Sequence, residues 1–418
     1  MFRIYHIISK AISVQLLLVG VLLGLGLSLK AQSLEELKTI SAENNLDLKA
    51  QYKSFEAQLE NVTQAKSWED PNLSFGYFIS PIETRVGPQL ARFSLTQMLP
   101  WFGTFKTKGK IAVFRAEAEY EKFQDQKLKL FLEVAEQYYE LAALRQITQL
   151  EAKQLQILND VKEMTNANYE NNKAQLVDVL RVDLEIDKHK NTIQVLKEQD
   201  QALVTQLNQL MNRSLQTPIE ILNPKQVLEQ QALTKSKLIS EDHPRLKAIR
   251  NLQESNKAES KLAKKQAMPQ FGIGLDYAII QDRNVNAIDA GQDAIIPNIS
   301  ISLPIFGVKN KSRKKQASLQ GESLQFQLED EKSKLDAEIQ VAKYQYDELL
   351  SSVKLHNKQM QNLDDILKLS RVALANAEMD IEEYLRLQEE HVMHHKMKFK
   401  TLAELKKTKA KLNYLTSK

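Results

Sequence analysis

Twice in this chain a two-residue pattern turns into a helical one across the same corner, and few folds accommodate that. Residues 91–110 read ARFSLTQMLPWFGTFKTKGK, and residues 298–315 read NISISLPIFGVKNKSRKK. Ahead of the first corner Ala91, Phe93 and Leu95 alternate with Arg92, Ser94 and Thr96. Ahead of the second, Ile299, Ile301 and Leu303 alternate with Asn298, Ser300 and Ser302. A period of two is that of a strand with one apolar and one polar face. Pro100 and Pro304 lack the amide donor that a ladder needs, and Gly103 and Gly307 are expected to permit the tight corner.

The helical run after each corner is too long for an ordinary globular helix. There is no glycine between Gly109 and Gly272 and no proline between Pro100 and Pro218, so helix breakers are missing over the whole stretch. Leu128, Phe131, Ala135, Tyr138 and Ala142 step by three and four, a heptad-like stripe for packing beside other long helices. A helix over residues 104–166 would be roughly 95 Å long at about 1.5 Å per residue. The asparagines of Tyr169-Glu-Asn-Asn172 suit a left-handed helix end, and a return helix is expected over 174–211. The second long helix, over 308–375, carries Leu335, Ile339, Ala342, Tyr346, Leu349, Val353, His356, Met360, Leu363 and Leu367 on one stripe. Asp380 and Glu383 fit a capping box for the last helix, over 381–414.

Each corner belongs to a hairpin. Ser33 and Glu36 open a helix that runs to about Lys66, and Pro71 ends it. Strands are expected over 72–79 and 91–98 with a loop at 80–89, and again over 271–280 and 298–303 with a loop at 281–295. Leu48-Lys49-Ala50 is echoed by Leu246-Lys247-Ala248, and Pro71 by Pro269, at one constant spacing. The chain is therefore mainly α with a small β part, a duplicated helix–β-hairpin–long helix–helix unit. The first repeat covers 32–222 and the second 223–418, the join being a connector with short helices.

Residues 1–31 read as a signal peptide, with Arg3 and Lys10 ahead of a long apolar run and Lys30-Ala31-Gln32 as the cleavage point. An uncleaved membrane anchor is the other reading. The chain has no cysteine, which excludes disulfides and thiolate metal sites. With 57 Lys and Arg against 53 Asp and Glu it is close to neutral, and nothing in its charge argues for nucleic acid. For an exported chain, four strands with one apolar face fit a membrane only when closed into a barrel. About eight strands are the practical minimum, so several copies must share one barrel. Two copies supply eight and three supply twelve, and counting does not choose. Leu73, Phe75, Tyr77, Ile79, Phe93, Leu95, Ile273, Leu275, Tyr277, Ile299 and Ile301 would face lipid. Arg92, Ser94, Thr96, Asp276, Ser300 and Ser302 would line the lumen, with Trp101, Phe102 and Phe306 in an interfacial belt.

The two LPxFG corners, the paired hairpins and the turn NYENNKAQLVDVL at 168–180 together resemble the TolC-like outer-membrane efflux protein family, over essentially the whole chain after residue 31. The resemblance implies a homotrimer with a twelve-stranded transmembrane β-barrel continued by a periplasmic α-helical barrel. It implies a passive exit duct in the outer membrane of a Gram-negative cell, partnered by a periplasmic adaptor and an inner-membrane pump. Tyr169, Asn172 and Asp178 in the first turn, with Asp380, Glu382, Glu383 and Arg386 in the second, would form the periplasmic entrance and adaptor contact. Asn172 stands where the family has glycine. Glu383 keeps the acid of an entrance motif whose second acid is replaced by Arg386, so an acidic gate would rest on Glu382 and Glu383. A type I secretion or drug-efflux duct of the same fold is an alternative. A periplasmic coiled-coil adaptor is another, although an adaptor should carry compact glycine-rich β domains.

Catalysis has little to work with. No nucleophile–base pair or acidic metal cluster stands out, so no enzyme activity and no cofactor are expected. His391, Met393, His394, His395 and Met397 lie close together, and His391 and His395, four apart, share a helix face on which a copper or zinc ion could sit. The plain alternative is a partly solvated helix face. The cluster, with QMLPWFG, points to a heavy-metal efflux subtype. His356 is expected to be a packed stripe residue, and Asp364 and Asp365 a solvated pair.

Overall fold

A computed structural model of the protein describes residues 32–221, 223–229, 241–282, 290–376 and 378–417. The expected signal peptide lies outside them, as does part of the connector and of the second hairpin loop. Two short helices, α1 (Leu34–Asn44) and α2 (Leu46–Lys66), precede a hairpin of β1 (Asn72–Thr84) and β2 (Gly87–Leu99). The long α3 (Thr104–Glu170) and the return helix α4 (Leu176–Leu210) complete the first unit. After a short α5 (Pro224–Glu229), the order recurs as α6 (Pro244–Lys265), β3 (Gln270–Ile280), β4 (Ala294–Ser302), α7 (Gly307–Ala375) and α8 (Ile381–Leu415).

The helices form a wall one layer thick. α3 packs against α2 and α4 and against α6 and α8, while α7 packs against α6 and α8. Each 67- or 69-residue helix thus lies beside a pair of shorter helices stacked end to end. The stacking has a specific joint. Asn45 caps α2 by accepting from the Leu48 amide at 3.0 Å, and its Nδ2 donates to the Leu210 carbonyl at the end of α4, also at 3.0 Å. His243 does the same in the second repeat: Nδ1 accepts from the Arg245 amide, and Nε2 lies 3.2 Å from the Tyr414 carbonyl near the end of α8. Both side chains offer an acceptor and a donor on opposite edges, which the joint requires. The single helix expected over 33–66 is in fact two. The extended backbone of Asn45, with ψ 126°, divides it into α1 and α2.

Among the described residues, three apolar clusters are strung along the wall. The largest includes Leu37, Leu48, Val134, Leu141, Leu207 and Leu402; a second, toward the turns, contains Leu158, Val182, Leu367 and Tyr384; the third contains Leu246, Leu335, Ile339 and Leu412. Stripe residues Leu335, Ile339, Ala342, Tyr346, Val353, Met360, Leu363 and Leu367 are all buried, each large one contributing about 1.5–3 kcal/mol. Buried Glu151 on α3 meets His189 of α4 and Lys396 of α8 and ties three helices together. Burial alone would raise the Glu151 carboxyl, but hydrogen bonds from His189 and Lys396 hold it below its ordinary range.

The four strands make one antiparallel sheet in the order β1-β2-β3-β4. The first hairpin is longer than expected: β1 and β2 run through residues 80–84 and 87–90, so the anticipated loop at 80–89 shrinks to a turn at Arg85–Val86. β4 likewise begins at Ala294 rather than 298. Pro81 and Pro88 suggest a loop, but the ladder shifts register between Tyr77 and Ile82 and accommodates them near its edge.

Candidate functional site

Cross-strand register fixes which strand residues share a face. Leu73 pairs with Leu95 and Phe75 with Phe93; Phe93 pairs with Tyr277 and Leu95 with Leu275; Ile273 pairs with Ile299. These apolar side chains lie on one side of the sheet and are exposed, Ile299 at 78% and Leu73 at 66%. Ile79 sits in the irregular part of β1, and pairing does not assign its face. Arg92, Ser94, Thr96, Asp276, Ser300 and Ser302 share the opposite side. There Asp276 is nearly inaccessible, bonded by Arg92 and Ser94 and accepting from Asn298 Nδ2 at 2.9 Å. In the sequence Asn298 stands out only as a member of the polar face. Pairing with Gly274 brings it to Asp276.

The two corners are built differently. At the first, the Thr104 amide donates to the Trp101 carbonyl at 3.0 Å, and Gly103 is left-handed with φ 74°. Lys265 closes it by donating to the Phe102 carbonyl at 2.9 Å. At the second, the Ile305 amide reaches back to the Leu303 carbonyl at 2.9 Å, a γ-turn centred on Pro304. Gly307 is the first residue of α7, with open space around it and no left-handed backbone. The expected need for glycine at the corner therefore holds for Gly103 and not for Gly307. Pro304 already makes the bend.

At the far end of the wall the two turns lie side by side. α3 runs four residues past the expected 166, because nothing before Asn172 stops it. Asn172 takes the left-handed conformation with φ 57°. Gln175 starts the return, its amide donating to Asp178 at 2.8 Å. In the second turn Asp380 caps α8 by accepting from the Glu382 amide at 2.7 Å, in place of the expected reciprocal box with Glu383. Asn172, Lys173, Asp178, Glu378 and Asp380 line a shared cleft of about 530 Å³. Glu382 crosses to Arg181 of α4 at 2.7 Å, while Tyr169, Glu383 and Arg386 are exposed outside the cleft. Arg181 gives no signal in the sequence, since its partner lies in the other repeat.

The histidines of α8 are not merely solvated. His391 Nε2 lies 2.8 Å from Asp364 Oδ1 of α7 and 3.2 Å from His395 Nε2. Burial and then the neighbouring His391 push the His395 imidazole down to about 4. Asp364 is exposed, as expected of a solvated helix-face residue, and also meets the histidine pair from the neighbouring helix. His356 is half-buried, as its stripe position predicts, 3.5 Å from His394.

Residues 39–213 match the family model described as outer membrane efflux protein. That segment is similar in sequence to outer membrane efflux proteins. Solved channels share its architecture over nearly the whole chain. The outer membrane protein VceC from Vibrio cholerae is 15% identical, with a TM-score of 0.72, over 92% of this chain and 95% of that one. The Neisseria gonorrhoeae MtrE outer membrane channel, in its open state, is 16% identical, with a TM-score of 0.73, over 92% and 88%. CusC is 12% identical, with a TM-score of 0.75, over 94% and 96%. No curated protein sequence matches. The matched segment ends within the first repeat's connector, and the second repeat continues the fold shared with these channels.

Proposed function

We propose that the chain is the outer-membrane exit duct of a tripartite efflux system, a passive channel made by three copies. The observation that carries this is the open four-stranded sheet, apolar and exposed on one face and polar on the other, joined to helices about 100 Å long. Strands β3 and β4 have 11 and 9 residues, the length a tilted strand needs to cross a membrane. Among the described residues no helix is long and apolar enough to do so. Among the described residues β1 and β4 each leave one edge unpaired, and three chains joined edge to edge would make twelve strands without a free edge. The unpartnered sides of α7 and of the α2–α4 stack would continue the helical wall around the same axis. The turns would then ring the periplasmic end, where the cleft between Asn172 and Asp380 offers an adaptor a surface. Residues 1–31 would direct export to the outer membrane.

The absence of cysteine gives a direct test. Single cysteines placed at positions 73–77 of β1 and 297–301 of β4 should cross-link in cells into a species of three chains. Dimers alone, or recovery of the protein in the soluble periplasm, would overturn the reading. For cargo, a deletion strain challenged with copper, zinc, cobalt and a drug panel separates the heavy-metal subtype from a drug-efflux duct. Sensitivity to drugs alone would remove the metal assignment.

A further inference from the structure

We propose that Asp364, His391 and His395 bind a divalent transition-metal ion of the zinc class, which clamps α7 to α8 beside the second turn. Their ligand atoms lie within 4.8 Å of one another, contributed by two different helices. An ion holding nitrogen and oxygen donors tetrahedrally at about 2.0–2.1 Å sets those donors about 3.3 Å apart. The two Nε2 atoms already stand at 3.2 Å, and the Asp364 oxygen, 2.8 Å from His391, needs to retreat by only about half an ångström. Asp364 is exposed at the edge of the wall and free to do so.

Hydrogen bonding alone satisfies the cluster poorly. His391 Nε2 faces a carboxylate oxygen and another imidazole nitrogen at once, and its single site cannot donate fully to one and serve the other. A cation between them accepts all three lone pairs. Lys225 and Lys398 lie near enough to His395 to oppose a positive ion, but Lys398 is 3.6 Å from Glu229, and Asp364 brings its own charge. Asp364 and His391 are each about ten residues from the turn, so the clamp would fix the α7–α8 pair roughly 15 Å from its tip. The open side leaves a fourth position for water.

The site does not depend on the duct reading, and its test uses the purified full chain in detergent. Zinc titration by calorimetry should show one ion per chain, and cobalt should give the visible bands of a tetrahedral ion. Asp364→Asn, His391→Ala and His395→Ala should each lose the stoichiometric step and the cobalt spectrum, with helical circular dichroism unchanged. Asp365→Asn, which alters the neighbouring carboxylate that pairs with Lys368 at 3.0 Å, should keep both. Zinc should also raise the melting temperature of the parent and not of the three variants. Absence of a stoichiometric zinc step, or its survival in all three variants, overturns the site.

Discussion

Replacing Leu275 by arginine tests the facing of the sheet most directly. Leu275 is the sixth of the eleven residues of β3, a strand flanked on both sides by others. At a rise of about 3.3 Å and a tilt near 45°, such a strand covers about 25 Å, the height of the apolar band of a membrane barrel. In the proposed barrel Leu275 would lie near mid-depth, where an arginine facing lipid costs about 2–4 kcal/mol. Three copies would raise the penalty to about 6–12 kcal/mol per assembly, enough to prevent it. A matched control is Ile296→Arg. Ile296 pairs with Asp276, one position from Leu275 in depth but on the other face, and the two are similarly exposed at 45% and 47%. There an arginine would extend into water beside a carboxylate. Membrane-fractionated trimer on unheated gels should disappear for Leu275→Arg and persist for Ile296→Arg. Equal loss in both would refute the assignment of faces, and loss in Ile296→Arg alone would invert it.

The corners, the stacking joint and the first turn each give a further expectation. Gly103→Ala should destabilise by about 1–2 kcal/mol, because a left-handed backbone must then carry a Cβ that also meets Lys265 Nζ at 2.9 Å. Gly307→Ala should be neutral or raise the melting temperature slightly. Burial holds the His243 imidazole below its ordinary range, so the folded chain prefers it neutral. Its contribution is complete above the ordinary histidine range and is lost as pH falls through the depressed folded value. His243→Asn, which copies the Asn45 joint, should flatten melting temperature against pH on that acid side; an unchanged profile would show that other groups set it. Asn172→Val should lower the melting temperature of the turn by an amount equivalent to about 1–2 kcal/mol, and Asn172→Gly should not. Hydrogen exchange at residues 168–176 would detect the difference.

The architecture was legible because it depends on periodicity. Alternation at 91–98 and 298–303, the breaker-free runs and the double corner each record a local rule, and together they leave few arrangements. What stayed hidden depends on contacts between distant residues. Pro81 and Pro88 have the character of loop residues, yet the register shift between Tyr77 and Ile82 skips Pro81, and Pro88 pairs with Glu83 at the start of β2. Gly307 matches Gly103 in sequence, but Pro304 has already made its bend. Asn45 and His243 carry a faint signal, a polar cap residue in corresponding places of the repeat, whose partners Leu210 and Tyr414 no local pattern reveals. The same holds for the candidate site: His391 and His395 are visible as neighbours on one helix, whereas Asp364 arrives from another. The pairing of Arg181 with Glu382 joins the two repeats across the turn region.

The near-identical lengths of α3 and α7, 67 and 69 residues, act as a gauge that is read twice. In the proposed three-copy assembly, a deletion confined to one of them would leave that part of the rim about 10 Å short per heptad, and the ring of turns could no longer lie in one plane. Length can therefore change only by matched steps in both long helices and in the stacks beside them. A chain of this design should tolerate substitution far more readily than insertion, and in the proposed duct the depth of the compartment crossed would become a property of its numbering.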